Sequence, residues 1–302
     1  MEFKKYSKIY RVGHDETKDI FLDGEDEIII EEKIDGGNFR FMILDGKIII
    51  GSRTQQLTSN EGEDTNMNKM FLRCSNYVRE QIKDTKDIGT MIFYGENCIK
   101  HTLNYNFEEM PPFLGFDIYQ EGVYLDYDIK VALFKKLNLN VVPLLKRCKA
   151  KEIDKIDDNI IPKSQFAQTS AEGVVFKNYN KQIFAKYVSD KFKEENAIAF
   201  GSKSVKYNND EFNNGDFVFK YVTNARIDKQ IFRLLEEGNK LEMSLMQHLP
   251  KRVYEDIWEE NWQELSVSKW KLNLNTIMKP LTKRCVSALN QVITNNALED
   301  KK

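Results

Sequence analysis

One lysine stands where an amine could act as a nucleophile. Lys33 opens the sequence KIDG at residues 33–36, between two runs of strand-like composition at residues 27–30 and 39–44. A lysine at the end of a strand beside a glycine turn is no ordinary core residue. It is either a solvated side chain before a hairpin, since K-x-D-G occurs by chance, or an amine that forms a covalent intermediate. This segment alone leaves both interpretations open.

Charged residues also mark the ends of several later runs that are rich in Ile, Val, Phe and Tyr. Each of these segments is a weak signal by itself, but their order and intervals after the lysine make a strong joint signal. The segments are GSRT at residues 51–54, FYGE at 93–96, FLGFD at 113–117, EGVVFK at 172–177 and FAKY at 184–187.

Together these segments resemble the motifs of the covalent nucleotidyltransferases, the superfamily of polynucleotide ligases and mRNA capping enzymes. The similarity is greatest to ATP-dependent RNA ligases of the RNA ligase 2 type. Three features favour that branch: Asn38-Phe39 after the lysine motif, Arg53 within the second motif, and KFKE at residues 191–194 after Lys186. The resemblance covers about residues 30–195.

This resemblance implies a ligase reaction in three steps. A lysine attacks the α-phosphorus of ATP, pyrophosphate leaves, and a lysyl-AMP forms. The AMP passes to a 5′-phosphate, and a 3′-OH then attacks that end, releases AMP and seals the strand. The implied substrates are ATP, with Mg²⁺ or Mn²⁺, and RNA with 3′-OH and 5′-phosphate ends, as at nicks in a duplex. Three alternatives stay open: a DNA ligase, a GTP-dependent capping guanylyltransferase, and a non-sealing adenylate- or RNA-binding protein.

The resemblance also implies roles for individual residues. Lys33 is the expected nucleophile and AMP-lysine, with Lys177 and Lys186 as further catalytic cations. Phe116 resembles a ring that stacks on adenine, and Glu96 resembles a carboxylate that accepts a ribose hydrogen bond. The full set of implied nucleotide contacts is Glu32, Ile34, Asn38, Arg53, Glu96, Phe116, Glu172, Lys177 and Lys186.

An amine nucleophile must be unprotonated, whereas the pKa of an ordinary lysine is ~10.4. Nearby cations disfavour the ammonium form. We therefore expect Lys177, Lys186 and a bound Mg²⁺ to lower the pKa of Lys33. Mg²⁺ prefers oxygen ligands, and Glu172 and Asp35 are the expected carboxylates.

Two positions depart from the pattern of that family. Asp35 stands where the RNA ligases often have histidine. The last motif is usually K-x-K, but here Lys186 is followed by Tyr and then by Val188. Either Lys191 or Lys193 supplies the second charge, or the triphosphate is held differently. The missing lysine is the sequence feature that favours the non-sealing alternative.

The predicted secondary structure that must position these residues differs between the two parts of the chain. Up to about residue 190, short strands alternate with helices predicted at residues 66–83 and 127–137, which indicates an α+β fold with antiparallel sheets. After residue 205 the pattern is helical, with helices predicted at 225–237, 240–248, 251–264 and 273–295. We predict a nucleotidyltransferase domain over residues 1–204 and a mostly α-helical C-terminal domain over 205–302. An OB-fold is built from five strands, so the helical pattern disfavours the DNA ligase and capping branches.

The net charge of the chain limits how it can bind RNA. The chain has 302 residues, with 45 Lys and Arg against 47 Asp and Glu, for a formal net charge of −2. This balance excludes a protein that coats nucleic acid through bulk charge but allows a few phosphate contacts. Arg226 and Lys229, at the start of the helical domain, are weak candidates for RNA contacts, as is the basic run at residues 146–151.

The spacing of the cysteines and the hydropathy of the sequence indicate the cellular compartment. The 4 cysteines are scattered without a C-x-x-C pair, which disfavours zinc-ribbon and disulfide frameworks and fits a reducing compartment. The charged N-terminal segment lacks the features of a signal peptide, and no apolar run approaches the ~20 residues of a membrane helix. We therefore expect an intracellular, cytoplasmic monomer without a membrane partner.

Overall fold

The computed structural model describes residues 3–85, 88–99, 103–188, 214–267, 272–273 and 276–299. The chain divides into two compact units, Met1–Phe192 and Lys193–Lys302. The predicted domain boundary between residues 204 and 205 lies outside the described residues, as does the KFKE segment at 191–194 with its two lysines.

The first unit contains two five-stranded sheets. The strands are β1 (Tyr10–Arg11), β2 (Glu27–Lys33), β3 (Gly37–Leu44), β4 (Lys47–Ser52), β5 (Ile92–Asn97), β6 (Phe113–Gln120), β7 (Val123–Tyr124), β8 (Leu144–Lys149), β9 (Gly173–Asn178) and β10 (Ile183–Val188). The first sheet has the order β1-β10-β9-β2-β8, and the second has the order β4-β3-β5-β6-β7. Every neighbouring pair is antiparallel except β1 and β10. The predicted α+β fold with antiparallel sheets is confirmed.

The turn between β3 and β4 follows directly from its sequence. Asp45 and Gly46 adopt φ angles of 49° and 75°. An Asp-Gly pair tolerates the left-handed backbone that a two-residue hairpin requires. The resulting register places Leu44 opposite Lys47 and Phe39 opposite Ser52, so every residue of β4 pairs with β3.

Two helices, α1 (Lys69–Gln81) and α2 (Tyr127–Lys136), pack on the outer face of the second sheet. Helix α1 begins three residues later than the predicted residue 66. The reason is an N-cap, because the side chain of Asn68 accepts a hydrogen bond from the backbone N–H of Met70. Phe71 of α1 and Phe134 of α2 are fully buried in this outer core.

The inner faces of the two sheets meet in an aromatic cluster. Ile29 of β2 and Tyr94 of β5 belong to this cluster together with Tyr6. Because side chains alternate along a strand, Ile28 and Ile30 lie in a separate cluster on the outer face of the first sheet. The same alternation directs residues 31 and 33 to the inner face, between the sheets.

The second unit is helical throughout its described residues. Its helices are α3 (Asn214–Tyr221), α4 (Asn224–Glu236), α5 (Leu249–Val267) and α6 (Met278–Glu299). They bury one apolar core that includes Val222, Ile227, Leu249, Ile257 and Leu281. The helix predicted at residues 240–248 is wrong, since only a short 3-10 turn forms there, at Met243–Gln247. Residues 214–267, 272–273 and 276–299 contain no strand, so the predicted absence of an OB-fold holds for them.

Within the described ranges, none of the helices combines the length and the apolar character needed to cross a membrane.

Candidate active site

Lys33 is the last residue of β2 and lies on the inner face of the first sheet. In the register of β2 with β9 it stands opposite Gly173. Gly173 must lack a side chain, because a Cβ there would lie 2.1 Å from the carbonyl oxygen of Tyr187. Glu172 directly precedes β9, and its Oε2 lies 2.6 Å from Lys33 Nζ. The Lys33 and Glu172 side chains are 26% and 15% exposed, so the pair is shielded yet reachable from solvent.

The electrostatic surroundings of Lys33 favour its ammonium form. Burial of the side chain acts to lower the pKa of Lys33, but the carboxylates of Glu172, Glu96 and Asp35 outweigh burial and raise that pKa. In this arrangement, neighbouring carboxylates rather than Lys177 or Lys186 set the direction of the shift in the pKa of Lys33. Lys33 must give up a proton before its nitrogen can attack an electrophile.

Buried acceptors hold the ammonium of Lys177. Its Nζ lies 2.6 Å from the carbonyl oxygen of Phe116, 2.7 Å from Glu31 Oε2 and 2.9 Å from Asp117 Oδ2. The contacts with Phe116 and Asp117 are hydrogen bonds, and the contact with Glu31 is an ion pair. With its side chain only 2% exposed, Lys177 serves as a tie between β9, β2 and β6 in this arrangement.

A second buried lysine, which the sequence analysis did not identify, joins this group. Lys130 Nζ of α2 lies 2.5 Å from Glu31 Oε1 and 3.0 Å from the Phe116 carbonyl oxygen. The signal for it was present, because Lys130 falls on the same helical stripe as the buried Phe134 and Leu137. A lysine on the buried stripe of a helix indicates an internal carboxylate partner.

Two buried phenols complete the group around Asp117. The Tyr6 hydroxyl donates to Asp117 Oδ2 at 2.5 Å, and the Tyr179 hydroxyl donates to Oδ1 at 2.8 Å. Burial, followed by the negative charge of Asp117, raises the pKa of both phenols. Both hydroxyls therefore remain protonated and act as donors that satisfy the buried carboxylate.

The second sheet brings two of the predicted nucleotide contacts together. Asn38 of β3 stands opposite Glu96 of β5. The turn before β3 lies against this pair, since a Cβ on Gly36 would be 2.5 Å from the Asn97 carbonyl oxygen and 3.0 Å from Glu96 Cγ. Gly36 is thus required by close approach, which explains the glycine of the KIDG segment.

Asp35 holds a neighbouring loop in place. Its Oδ2 accepts the backbone N–H of Leu103 at 2.8 Å, and its own N–H donates to the Tyr105 hydroxyl at 2.8 Å. The Leu103 contact occupies one oxygen of the Asp35 carboxylate, as the Lys33 contact occupies one oxygen of Glu172. Among the described residues, no group of three or more His, Cys, Asp or Glu side chains forms a metal cage. A magnesium site of one or two carboxylates completed by phosphates and water would not need one.

Three further predicted residues lie on or beside the inner faces. The half-buried ring of Phe116 in β6 meets the edge of Tyr6 at a centroid distance of 4.8 Å. Lys186 in β10 stands opposite Val175 of β9, and Arg53 directly follows β4. All three side chains are partly exposed.

Two predicted contacts have other surroundings. Glu32 is directed to the opposite face of β2, where its carboxylate accepts hydrogen bonds from the Ser164 hydroxyl at 2.6 Å and the Gln165 N–H at 3.1 Å. Ile34 is buried in a small apolar cluster with Tyr105. A nucleotide contact from either residue would therefore come from its backbone rather than from its side chain.

The predicted RNA-binding cations of the second unit are ion-paired within it. Arg226 Nε lies 3.0 Å from Asp256 Oδ2, and Lys229 Nζ lies 3.2 Å from Asp256 Oδ1. Although burial opposes the charge of Asp256, these cations lower its pKa. Both residues therefore fasten α4 to α5. The RNA contact predicted for them stays a prediction, and it would require these ion pairs to open.

The basic run at residues 146–151 is also neutralised by acids. Arg147 pairs with both Glu27 and Asp128, and two lysines of the same run pair with Glu25. These side chains are largely exposed, so the pairs contribute little to stability. Their effect is to cancel the local positive charge.

The Lys33–Glu172 pair gives a measurable pH dependence. Because the carboxylate raises the pKa of Lys33, Glu172→Gln should lower that pKa and increase the fraction of free amine at a given pH. We expect the pH midpoint for acylation of Lys33 by an amine-reactive reagent, read by mass spectrometry, to move to lower pH. Glu27→Gln, on the same strand but paired with Arg147, should leave the midpoint unchanged. An unmoved midpoint in Glu172→Gln would contradict the electrostatic assignment.

Comparison with known proteins identifies one matching family. The family model described as RNA ligase matches residues 26–189, which is more than half of the chain and includes both sheets except β1. No curated protein matches the chain.

Solved structures share the fold at low sequence identity. Naegleria gruberi RNA ligase with PPi is 20% identical, with a TM-score of 0.51, and the match covers 65% of this chain and 58% of that chain. Variants of the same ligase with AMP and Mn, and with ATP and Mn, match at 20% identity and a TM-score of 0.50, over 65% of this chain and 59% of theirs. This chain therefore spans less than two thirds of the length of the solved ligases that it matches.

Proposed function

Because the chain belongs to the RNA ligase family, we propose that it is an ATP-dependent ligase that seals RNA ends, with Lys33 as its nucleophile. The observation that carries this proposal is the Lys33–Glu172 pair on the inner face, next to the partly exposed side chains of Asn38, Glu96 and Phe116. ATP and Mn occur with the solved ligases of the same fold. We assign ATP and a divalent ion, Mg²⁺ or Mn²⁺, to this chain on that basis.

In the first step, the Lys33 amine attacks the α-phosphorus of ATP and pyrophosphate leaves. The bond from Nζ to phosphorus forms as the bond to the bridging oxygen breaks, and the product is a lysyl-AMP. The carboxylate of Glu172, 2.6 Å from Nζ, is the nearest described acceptor for the proton that the amine must lose. A divalent ion would neutralise charge on the phosphates, and Glu172 and Asp35 are the carboxylates that we assign to hold it.

The adenosine has suitable partners on the second sheet. The partly exposed ring of Phe116 offers a flat surface for adenine, and Glu96 offers a carboxylate for the ribose hydroxyl. Asn38 lies opposite Glu96, and its buried Oδ1 has no hydrogen-bond partner among the described residues. A buried oxygen without a donor costs free energy, so a ligand that donates to it would be favoured. Arg53 and Lys186 are assigned to the phosphates.

In the second step, an oxygen of the 5′-phosphate bonds to the phosphorus of AMP as the bond to Lys33 Nζ breaks, and the amine regains a proton. In the third step, the 3′-OH oxygen bonds to the 5′-phosphorus as AMP leaves, and the hydroxyl proton passes to AMP or to solvent. Both steps also need cations, since charge spreads over the phosphoryl oxygens. We propose that residues 1–204, whose described part holds both sheets, form the adenylyltransferase domain. The helical domain at 205–302 is assigned to the RNA.

A sealing assay tests the substrate class. A nicked duplex with a 3′-OH RNA strand and a 5′-phosphate should be joined in the presence of ATP and Mg²⁺, and the matched nick with a 5′-OH should not. GTP should not replace ATP, since use of GTP is what the capping alternative predicts. Equal sealing of all-DNA nicks would overturn the RNA assignment. ATP binding without sealing of any end would favour the non-sealing alternative.

A further inference from the structure

Several carboxylates surround Lys33 on the inner face, so a bound ATP needs cations nearby. Glu172, Glu96 and Asp35 all act on Lys33, and a bound triphosphate adds about four further negative charges at neutral pH. Lys177 is buried, and Phe116, Glu31 and Asp117 already hold its ammonium. Besides the divalent ion and Arg53, the phosphates therefore depend on cations of the first sheet.

Strand β10 supplies only one such charge at its inner face. Lys186 stands opposite Val175, and Val188 stands opposite Gly173, which is itself opposite Lys33. Side chains two residues apart point to the same face of a strand. The inner position nearest to Lys33 on β10 is therefore apolar, and a single lysine remains two residues away.

Strand β1 places an arginine next to that lysine. Arg11 is the parallel partner of Lys186 at the edge of the first sheet. Residues paired across neighbouring strands lie on the same face, with backbones about 4.8 Å apart. Ile9 packs in the aromatic cluster between the sheets, and Val12 packs in the apolar cluster on the outer face of the first sheet. Because side chains alternate along a strand, Arg11 lies on the inner face, as Lys186 does.

The backbone of Arg11 is fixed from both sides. The N–H of Val12 donates to the Lys186 carbonyl oxygen at 3.0 Å. The Arg11 carbonyl accepts the N–H of His14 at 3.1 Å and the hydroxyl of Thr17 at 2.7 Å. These contacts hold a strand of only two residues against β10, so the arginine and the lysine form a preorganised pair.

We propose that Arg11 is a phosphate-binding residue of the ATP site, which contacts the β- and γ-phosphates together with Lys186. Arg11 supplies the second charge that Val188 does not. The planar fork of a guanidinium can bind two phosphate oxygens at once, which a lysine ammonium cannot do in the same geometry. This inference rests on the proposed use of ATP, and it adds a residue from outside the matched family region, which begins at residue 26.

The test compares two ligands that differ in their phosphates. The affinities of α,β-methylene-ATP and AMP are measured by calorimetry for the wild type, Arg11→Ala, Arg11→Lys and Lys18→Ala. Lys18 is an exposed cation of the same segment, so its replacement is the matched control. We expect Arg11→Ala to weaken the triphosphate analogue about tenfold, the effect of one lost charged hydrogen bond, and to leave AMP unchanged. The affinity of Arg11→Lys for the triphosphate analogue should lie between those of the wild type and Arg11→Ala. Lys18→Ala should bind both ligands like the wild type.

Two outcomes would overturn the inference: an equal loss of both ligands in Arg11→Ala, which indicates a structural role, or no loss of either. The result remains separable from the proposed function. Formation of a lysyl-AMP by the wild type is measured independently, and its failure would remove the ligase proposal. A selective loss of the triphosphate analogue would still place Arg11 at a phosphate site.

Discussion

Lys33→Ala should abolish transfer of label from α-labelled ATP to the protein. The reason is chemical, because the amine is the atom that bonds to phosphorus, and the other nearby lysines are differently placed. Lys177 is held by Glu31 and Asp117, and Lys186 lies on β10, two strands away from β2. Loss of a covalent nucleophile costs at least about a thousandfold in rate. The measurement is the labelled protein band after denaturation with detergent at neutral or alkaline pH, because the P–N bond of a lysyl-AMP is labile in acid.

Two further variants separate the role of the amine from the role of the charge. Lys33→Arg keeps a cation near Glu172, yet its guanidinium stays protonated and cannot attack, so this variant should also give no adduct. Lys47→Ala removes an exposed lysine from the next hairpin and should label like the wild type. A labelled Lys33→Arg protein would show that another residue is the nucleophile.

The sequence was sufficient for most of the strands and for the placing of Lys33, because both depend on local signals, whereas β1, β7 and β8 were not predicted. The Asp-Gly turn, alternating hydrophobicity and the glycine after the lysine are all readable over a few residues. The register that sets Glu172 beside Lys33 joins positions 139 residues apart. No local signal carries such a pairing, and only the resemblance to a known family suggested it.

The role of Lys177 shows what the sequence could not give. The motif predicts a cation for the phosphates, but Glu31, Asp117 and the Phe116 carbonyl surround its ammonium. Whether a lysine faces a ligand or an internal carboxylate depends on contacts between β2, β6 and β9. Those contacts appear only when the two sheets pack.

The partners of the cations in the helical unit also depend on how the helices pack. Arg226 and Lys229 read as exposed charges on an amphipathic helix, yet both reach Asp256 on the next long helix. Helix propensity and spacing predict the existence of α4 and α5, but they do not determine which faces meet. The prediction of a helix at residues 240–248 failed for a related reason, because a Gly238 turn with φ 86° and a 3-10 segment connect α4 to α5.

Glu31→Gln should destabilise the first unit more than any surface substitution. Glu31 is 1% exposed and lies between two buried ammoniums, those of Lys130 and Lys177. Removal of its charge leaves Asp117 as the single carboxylate for both. Breaking a buried ion pair from one side costs about 3–5 kcal/mol, since the remaining charge stays desolvated. Hydrogen exchange of peptides from β2 and β9 should report this loss as a lower free energy of opening.

The control and a compensating variant make the assignment specific. Glu25→Gln breaks exposed pairs with two lysines and should leave exchange in β2 and β9 unchanged. Glu31→Gln combined with Lys130→Met removes one charge of each sign and leaves Lys177 with Asp117, so it should recover part of the lost free energy. If Glu31→Gln exchanges like Glu25→Gln, the buried charges do not hold the two sheets together. If the double variant is less stable than Glu31→Gln alone, Lys130 acts through its packing rather than through its charge.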